Sequence, residues 1–146
     1  MKFFITSPWR NKEAVKSLME SLTARGHTPY SFLSNNANLV NGEPVIEKSE
    51  EEFPWSIANW ENDPTIKQIF DFDMNALKQS DMVVLLEPSG RSSLAEAGIA
   101  YGMGKKIALV GLVAHPEIVV YCICTNRYPS VGEFLKSIEN QSPQSS

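Results

Sequence analysis

The chain has 146 residues, of which 42% are hydrophobic and 21% are charged, as expected for one globular domain with its own core. Acidic residues outnumber basic ones by 17 to 13, so the net charge of -4 argues against a nucleic-acid polymer or an anionic membrane as partner. No apolar run is long enough for a membrane span, and MKFFITSPWR lacks the features of a signal peptide. We therefore expect a cytoplasmic protein, and the composition leaves room for a small anionic ligand.

The first part of the chain predicts a strand, a helix and a second strand. The aromatic and β-branched run KFFITS at 2–7 indicates a short buried strand. Apolar residues then recur at helical spacing from 10 to 25, and Gly26 is typical of a helix end. The segment TPYSFL at 28–33 predicts the second strand.

Residues 34–62 lose all periodicity before strand and helix patterns resume. This segment is polar, with an acidic run and two tryptophans, and its length is typical of a functional or disordered loop. DMVVLLEP is the clearest strand, because its nearly continuous apolar character suits a strand covered on both faces. The expected elements are helices at about 63–79 and 93–102, strands at 81–88 and 106–113, and a last helix whose Ser130 and Glu133 have capping-box spacing.

The cysteines and histidines indicate neither a disulfide nor a metal site. Cys122 and Cys124 are only two residues apart, a separation that rarely meets disulfide geometry. His27 and His115 complete no metal-ligand spacing with them. We expect buried, reduced thiols and no cofactor.

Strands that alternate with helices predict an α/β domain with a mostly parallel sheet. We expect a single domain over 1–139 and a disordered tail at 140–146. In such sheets, ligands bind beyond the carboxyl ends of the strands, where the strand order reverses. The polar segments TSPWR and EPSGRSS follow two of the expected strands. These two turns are therefore the predicted location of a site.

The second of these turns has the composition of an anion site. Ser89, Gly90, Arg91, Ser92 and Ser93 lead directly into a helix. A helix N-terminus offers unpaired N–H groups and a partial positive charge, and arginine can bind phosphate through two hydrogen bonds. The alternative is a polar surface turn with no ligand.

Two carboxylates stand out near this turn. Glu96 follows Ser93 at capping-box spacing, so it is either a helix cap or a nucleophile. Asp73 interrupts an apolar helical stripe, where a carboxylate costs energy unless it is paired or neutral. Asp71 lies on the solvent side. Counting back along the helix from Asp81 places Asp73 at the carboxyl end of the sheet, near Glu96. The alternative for Asp73 is a purely structural aspartate bonded to backbone N–H groups.

Several motifs occur in a fixed order between about residues 65 and 111. They are an aspartate, Ser-Asp at the start of an apolar strand, a Gly/Ser-rich loop, Glu-x-Gly-x-Ala and Gly-Lys-Lys. In this chain they are Asp73, Ser80-Asp81, the loop at 89–93, Glu96–Ala100 and Gly104–Lys106. In this order they resemble the nucleoside 2-deoxyribosyltransferase-like superfamily, and FFITSPWR is similar to its first strand and substrate-binding turn.

The resemblance implies a fold, an assembly and an activity. The fold is a flavodoxin-like or Rossmann-like three-layer sandwich with about five strands, assembled as a homodimer or larger homo-oligomer. By motif position, Glu96 attacks the anomeric carbon of a nucleoside or nucleotide, and Asp73 serves the departing base. Retaining glycoside chemistry likewise uses two carboxyl groups, at a separation of about 5 Å.

We therefore predict cleavage or transfer at the N-glycosidic bond of a (deoxy)nucleoside 5'-monophosphate or a nucleoside. Arg91 favours a phosphorylated ligand, and Trp55 and Trp60 either stack on the base or pack internally. Two alternatives remain open: a glycohydrolase of NAD-type dinucleotides, and a nucleotide-binding or sensor protein without turnover. The expected substrate-binding residues are Ser7, Trp9, Arg10, Ser89, Gly90, Arg91, Ser92 and Ser93.

Overall fold

The computed structural model describes residues 1–34, 39–40, 43–44 and 60–139. The strands are β1 (Lys2–Thr6), β2 (Thr28–Tyr30), β3 (Leu39–Val40), β4 (Glu43–Pro44), β5 (Met82–Leu86), β6 (Lys106–Val110) and β7 (Asn126–Tyr128). The helices are α1 (Lys12–Ala24), α2 (Pro64–Gln79), α3 (Arg91–Gly102), α4 (Ile118–Ile123) and α5 (Val131–Glu139). Short 3-10 turns lie at Trp9–Asn11, Phe32–Ser34 and Trp60–Asn62.

Five strands form one sheet in the order β2-β1-β5-β6-β7, and every neighbouring pair is parallel. Strands β3 and β4 form a separate antiparallel pair. After β1 the next strand, β2, is added toward one edge of the sheet, whereas after β5 the next strand, β6, is added toward the opposite edge. The strand order therefore reverses between β1 and β5, and their carboxyl ends border the crevice where ligands bind in this type of sheet. The predicted α/β, flavodoxin-like fold is confirmed.

The sheet is covered on both faces, because successive side chains of each strand point to opposite sides and both sets are apolar. One face packs against α1 and α5, with a core that includes Phe3, Ile5, Val15, Leu18, Val84 and Phe134. The other face packs against α2, α3 and α4, with a core that includes Phe4, Leu77, Val83, Leu85, Ala97, Ala100 and Leu109. Helices α2 and α3, which carry Asp73 and Glu96, therefore share one face of the sheet.

The Gly-Lys-Lys motif joins α2 to the sheet. Gly104 has a φ of +80°, which allows the chain to turn sharply after α3. The Nζ of Lys105 then donates hydrogen bonds to the carbonyl oxygens of Lys78 and Ser80, at 2.7 and 2.8 Å. A positive charge suits the C-terminal end of a helix. This contact fixes the end of α2 relative to β6 and so helps to set the position of Asp73.

Near the end of the described chain one expectation was wrong and one strand was missed. Cys122 is exposed, because α4 is a helix and residues two apart on a helix point in different directions. Cys124 is buried as expected, and burial raises the pKa of its thiol. Strand β7 was not predicted, since Asn-Arg-Tyr has no apolar pattern, and it joins the sheet by pairing with β6.

Some predictions lie outside the described residues. They concern Trp55, the side chain of Trp60, most of the 34–62 segment and the tail at 140–146. Within the described ranges, no helix has the length and apolar character needed to cross a membrane.

Candidate functional site

A cleft of about 380 Å³ lies between α2 and α3 beside the carboxyl ends of β1 and β5. Its position is the reversal point of the strand order, where the sequence predicted a site. Five predicted site residues line it: Ser7, Trp9, Asp73, Ser92 and Glu96. The other described residues of its wall are mostly apolar: Phe32, Ile66, Ile69, Phe70, Met74, Ala95 and Ile99.

Glu96 lies in the second turn of α3 and is half-buried. Its Oε1 atom accepts a hydrogen bond of 2.6 Å from the hydroxyl of Thr6. Thr6 is the last residue of β1 and only 2% exposed, so its hydroxyl is fixed by the sheet. A short hydrogen bond to a carboxylate orients the group and stabilises its charge.

The start of α3 differs from the expected start at Ser93. Gly90 occupies the N-cap position in an extended conformation, and the helix begins at Arg91. The Oγ of Ser93 accepts a hydrogen bond of 2.6 Å from the Gly90 N–H and donates one of 2.8 Å to the Gly90 carbonyl. Ser93 is 1% exposed. Its role is therefore to hold the helix start, and Glu96 lies one turn further along than a capping-box glutamate at this terminus.

Asp73 is half-buried in α2 and faces the cleft. Its Oδ1 atom accepts a hydrogen bond of 2.9 Å from the hydroxyl of Tyr30, the last residue of β2. The apolar stripe predicted on this helix consists of Ile66, Ile69, Phe70 and Leu77. It was only partly right as a core face, because Leu77 is buried whereas Phe70 is 55% exposed. Asp71 is exposed, as predicted. Asp73, the polar residue within this stripe, therefore lies on the side of α2 that borders the cleft.

The turn after β1 fastens the ends of the two central strands. The hydroxyl of Ser7 donates to the carbonyl of Leu86 at 2.9 Å, and Ser7 is 7% exposed. The side-chain amide of Asn11 donates to Ser7 Oγ at 2.9 Å and to the carbonyl of Glu87 at 3.3 Å. Ser7 therefore supports the base of the cleft as well as lining it.

Trp9 forms an aromatic wall in the first turn. Its ring lies 4.9 Å from the ring of Phe32, centroid to centroid, and the Nζ of Lys12 lies 5.5 Å from the centroid of the indole. Its Nε1 atom is buried and, among the residues that the structure describes, has no hydrogen-bond acceptor. A buried unpaired donor is unusual, and it gives this wall a polar atom within an otherwise apolar surface.

The predicted anion turn before α3 uses several of its donors internally. The N–H of Ser89 donates to Glu87 Oε2 at 3.0 Å, and the Ser89 hydroxyl lies 3.4 Å from the same oxygen. Arg10 reaches across from the first turn and donates from Nη2 to the Ser89 carbonyl at 3.2 Å. Arg91 and Ser92 are exposed at the first turn of α3, and Ser92 also lines the cleft. Arg10, Ser89, Gly90 and Arg91 thus lie beside the cleft, outside its described wall.

The hydroxyl partners of both carboxylates, Thr6 and Tyr30, were not predicted from the sequence. Thr6 was noted only as part of a polar strand end, although residues two apart on a strand share a face. Phe4 packs on the face covered by α2 and α3, so Thr6 points toward α3 as well. Tyr30 is paired with Phe4 across the β1–β2 ladder, which a sequence without known strand register does not reveal.

No family model matches the chain, and no curated protein matches its sequence. Several solved structures are similar to it, and three of them are described here. A 2-deoxyribosyltransferase from Bacillus psychrosaccharolyticus has a TM-score of 0.66 and 17% identity, covering 99% of this chain and 95% of that one.

The Clostridium botulinum CMP N-glycosidase BcmB has a TM-score of 0.58 and 16% identity, covering 95% of this chain and 99% of that one. A conserved protein from Enterococcus faecalis V583 has a TM-score of 0.65 and 14% identity, covering 97% of this chain and 98% of that one. At these identities the likeness establishes the fold. The chain shares the fold of these three proteins.

Proposed function

We propose that the protein cleaves or transfers the N-glycosidic bond of a (deoxy)nucleoside or its 5'-monophosphate, with Glu96 as nucleophile and Asp73 as acid/base partner. The observation that carries the proposal is that these carboxylates come from different helices and line one cleft. Each accepts a hydrogen bond from a hydroxyl on the sheet. Two carboxyl groups in one cleft are what retaining glycoside chemistry requires.

The reaction has two steps. In the first, a carboxylate oxygen of Glu96 bonds to the anomeric carbon while the bond from that carbon to the base nitrogen breaks, and Asp73 gives a proton to the departing base. In the second, water or another base attacks the same carbon and releases the Glu96 carboxylate, and Asp73 takes up the proton of the attacking group. Hydrolysis and transfer share the glycosyl-enzyme and differ only in the group that attacks it.

The shape of the cleft suggests how the substrate lies. Asp73 stands beside the apolar residues Ile69, Phe70 and Met74 of α2, which suit the flat face of a base. Glu96 lies on the opposite helix, next to the turn that contains Arg91 and Ser92. The base therefore lies along α2 and the sugar at Glu96. A 5'-phosphate would extend toward the first turn of α3, where N–H groups and Arg91 favour an anion.

The structural neighbours support this chemistry for the fold. One is a 2-deoxyribosyltransferase and another is a CMP N-glycosidase, so both activities concern the type of bond that we propose here. The predictions of a homodimer or larger oligomer and of a single domain over 1–139 stay predictions, and sedimentation velocity of the full chain measures the first.

Release of free base from a panel of substrates tests the proposal. The panel contains nucleosides, their 5'-monophosphates and an NAD-type dinucleotide, incubated with the wild-type protein, Glu96→Gln and Glu117→Gln. Glu117 is an exposed carboxylate outside the cleft and serves as the matched control. We expect release from a nucleoside or monophosphate, loss of release in Glu96→Gln by at least about 1000-fold, and no change in Glu117→Gln.

Other outcomes would overturn the proposal. Release from the dinucleotide alone would favour a dinucleotide glycohydrolase. Tight binding of a nucleotide without any base release would favour a sensor protein. Full turnover by Glu96→Gln would remove Glu96 from the nucleophile role.

A further inference from the structure

The ring of Tyr30 is held in place independently of the cleft. Tyr30 ends β2 and is paired with Phe4 in the parallel ladder between β1 and β2. The two rings are stacked, with centroids 5.5 Å apart and an angle of 20° between their planes. Phe4 is 2% exposed and belongs to the core under α2 and α3. The strand ladder and the stacked ring together fix the position of the Tyr30 hydroxyl.

The Tyr30 hydroxyl contacts Asp73, which is in helix α2. Tyr30 Oη donates to Asp73 Oδ1 at 2.9 Å across a sequence separation of 43 residues. Asp73 is half-buried in α2 and lines the cleft. A fixed donor at 2.9 Å favours the side-chain conformation in which Oδ1 faces Tyr30.

We propose that Tyr30 is a positioning residue that holds Asp73 by Oδ1 and thereby directs the transferable proton to Oδ2. The inference rests on the proposed function. When Asp73 is protonated, a hydrogen bond accepted at Oδ1 leaves Oδ2 as the oxygen that carries the proton. That proton moves from Oδ2 to the departing base as the glycosidic bond breaks and Glu96 bonds to the anomeric carbon. Tyr30 is not among the described residues that line the cleft, so it acts through Asp73.

The Tyr30→Phe variant isolates the hydroxyl, because phenylalanine keeps the ring that stacks on Phe4. Its effect is read as the ratio of turnover on two substrates. One is a good natural substrate of the wild-type protein, and the other is the same nucleoside with an alkylated base, which departs without a proton. The ratio compares two rates in one sample, so it does not depend on the fraction of folded protein. Tyr101→Phe, which removes a phenol on the exposed surface of α3, is the matched control.

We expect Tyr30→Phe to lower kcat on the natural substrate by about 10-fold or more, the range of a hydrogen bond to a charged group. The alkylated substrate should lose less than about 3-fold, KM should hardly change, and Tyr101→Phe should match the wild type. In an Asp73→Asn background, Tyr30→Phe should add almost nothing, because both changes remove the same function.

Equal losses on both substrates, or a full additional loss in the Asp73→Asn background, would overturn the inference and leave Tyr30 a structural residue. If Asp73→Asn lowers turnover more on the natural than on the alkylated substrate but Tyr30→Phe does not, the inference fails while the proposed function stands. If the wild-type protein releases no base from any substrate, the proposed function fails, and the inference fails with it.

Discussion

Glu96 and Asp73 border the same cleft but depend on different parts of the sheet. The partner of Glu96 is Thr6, in β1, which is paired on both sides and buried between two helical layers. The partner of Asp73 is Tyr30, in β2, an edge strand of three residues that pairs only with β1 within the described sheet. One carboxylate is thus supported by the centre of the sheet and the other by its edge.

This difference matches the demands of the proposed reaction. The anomeric carbon is common to all nucleosides, so the group that attacks it benefits from the most constrained support in the fold. Bases differ in size and in how readily they leave, so the contribution of the group that serves them depends on the base. Changes on the Glu96 side should therefore affect every substrate equally, whereas changes on the Asp73 side should depend on the base.

The largest difference between substrates is expected for Asp73→Asn. Loss of a general acid costs about 100- to 10,000-fold, and this loss should appear only for bases that need a proton to depart. A nucleoside with an activated base should lose much less. Asp71→Asn, two residues away on the exposed side of α2, is the control and should be close to neutral. Steady-state kinetics on both substrates measure the effect, and a uniform loss would contradict the assignment of Asp73.

Thr6→Val, in contrast to Asp73→Asn, should lower turnover equally for all bases. Valine has nearly the same shape as threonine but removes the hydroxyl that donates to Glu96 at 2.6 Å. Loss of a hydrogen bond to a charged group costs about 1.5–3 kcal/mol, so kcat should fall by roughly 10- to 100-fold. The loss should be equal for natural and activated bases, with exposed Thr23→Val as the control. Dependence on the base would mean that Thr6 does not act through the nucleophile.

Arg91→Ala tests whether the start of α3 binds the 5'-phosphate of the substrate. Arg91 is exposed at the first residue of α3, so its contribution should lie at the low end of the range for a charged hydrogen bond, about 10-fold in KM. The loss should occur with a 5'-monophosphate and be absent with the matching nucleoside. Equal losses for the two ligands would show that Arg91 supports the fold or the sugar.

The smallest effect is expected for Phe70→Ala. Phe70 and Phe72 are both exposed aromatic residues of α2, but only Phe70 lines the cleft. Aromatic stacking adds about 0.5–1.5 kcal/mol, so Phe70→Ala should raise KM by roughly 2- to 10-fold and leave kcat unchanged. Phe72→Ala should change neither constant. Equal shifts in the two variants would indicate a general effect on α2 and would argue against a base at this wall.

The sequence was sufficient for the fold and for placing Asp73 and Glu96 at the same end of the sheet, because both follow local rules. Alternating patterns predicted the α/β sheet, and the interrupted stripe on α2 predicted that Asp73 lies at the same end as Glu96. Strand β7 was not predicted, because a three-residue polar edge strand is specified by its pairing with β6 and not by its own side chains.

The parts of the site that were not predicted from the sequence depend on long-range contacts. Thr6 meets Glu96 across 90 residues, and Tyr30 meets Asp73 across 43. Strand order and register decide such contacts, and neither can be read from one sequence. The start of α3 was misplaced for a different reason, since Gly90 and Ser93 form a cap by themselves. The spacing of Ser93 and Glu96 matched a capping box by coincidence.

Peptide mass mapping of the protein quenched during turnover tests the central claim most directly. If Glu96 is the nucleophile, a fraction of the wild-type chains should carry the mass of the sugar, or of the sugar phosphate, on the peptide that contains Glu96. The same adduct should be missing from Glu96→Gln and present in Asp73→Asn when the substrate has an activated base. Steady base release with the sugar attached to another residue, or with the Glu96 peptide unmodified while Glu96→Gln remains active, would contradict the account.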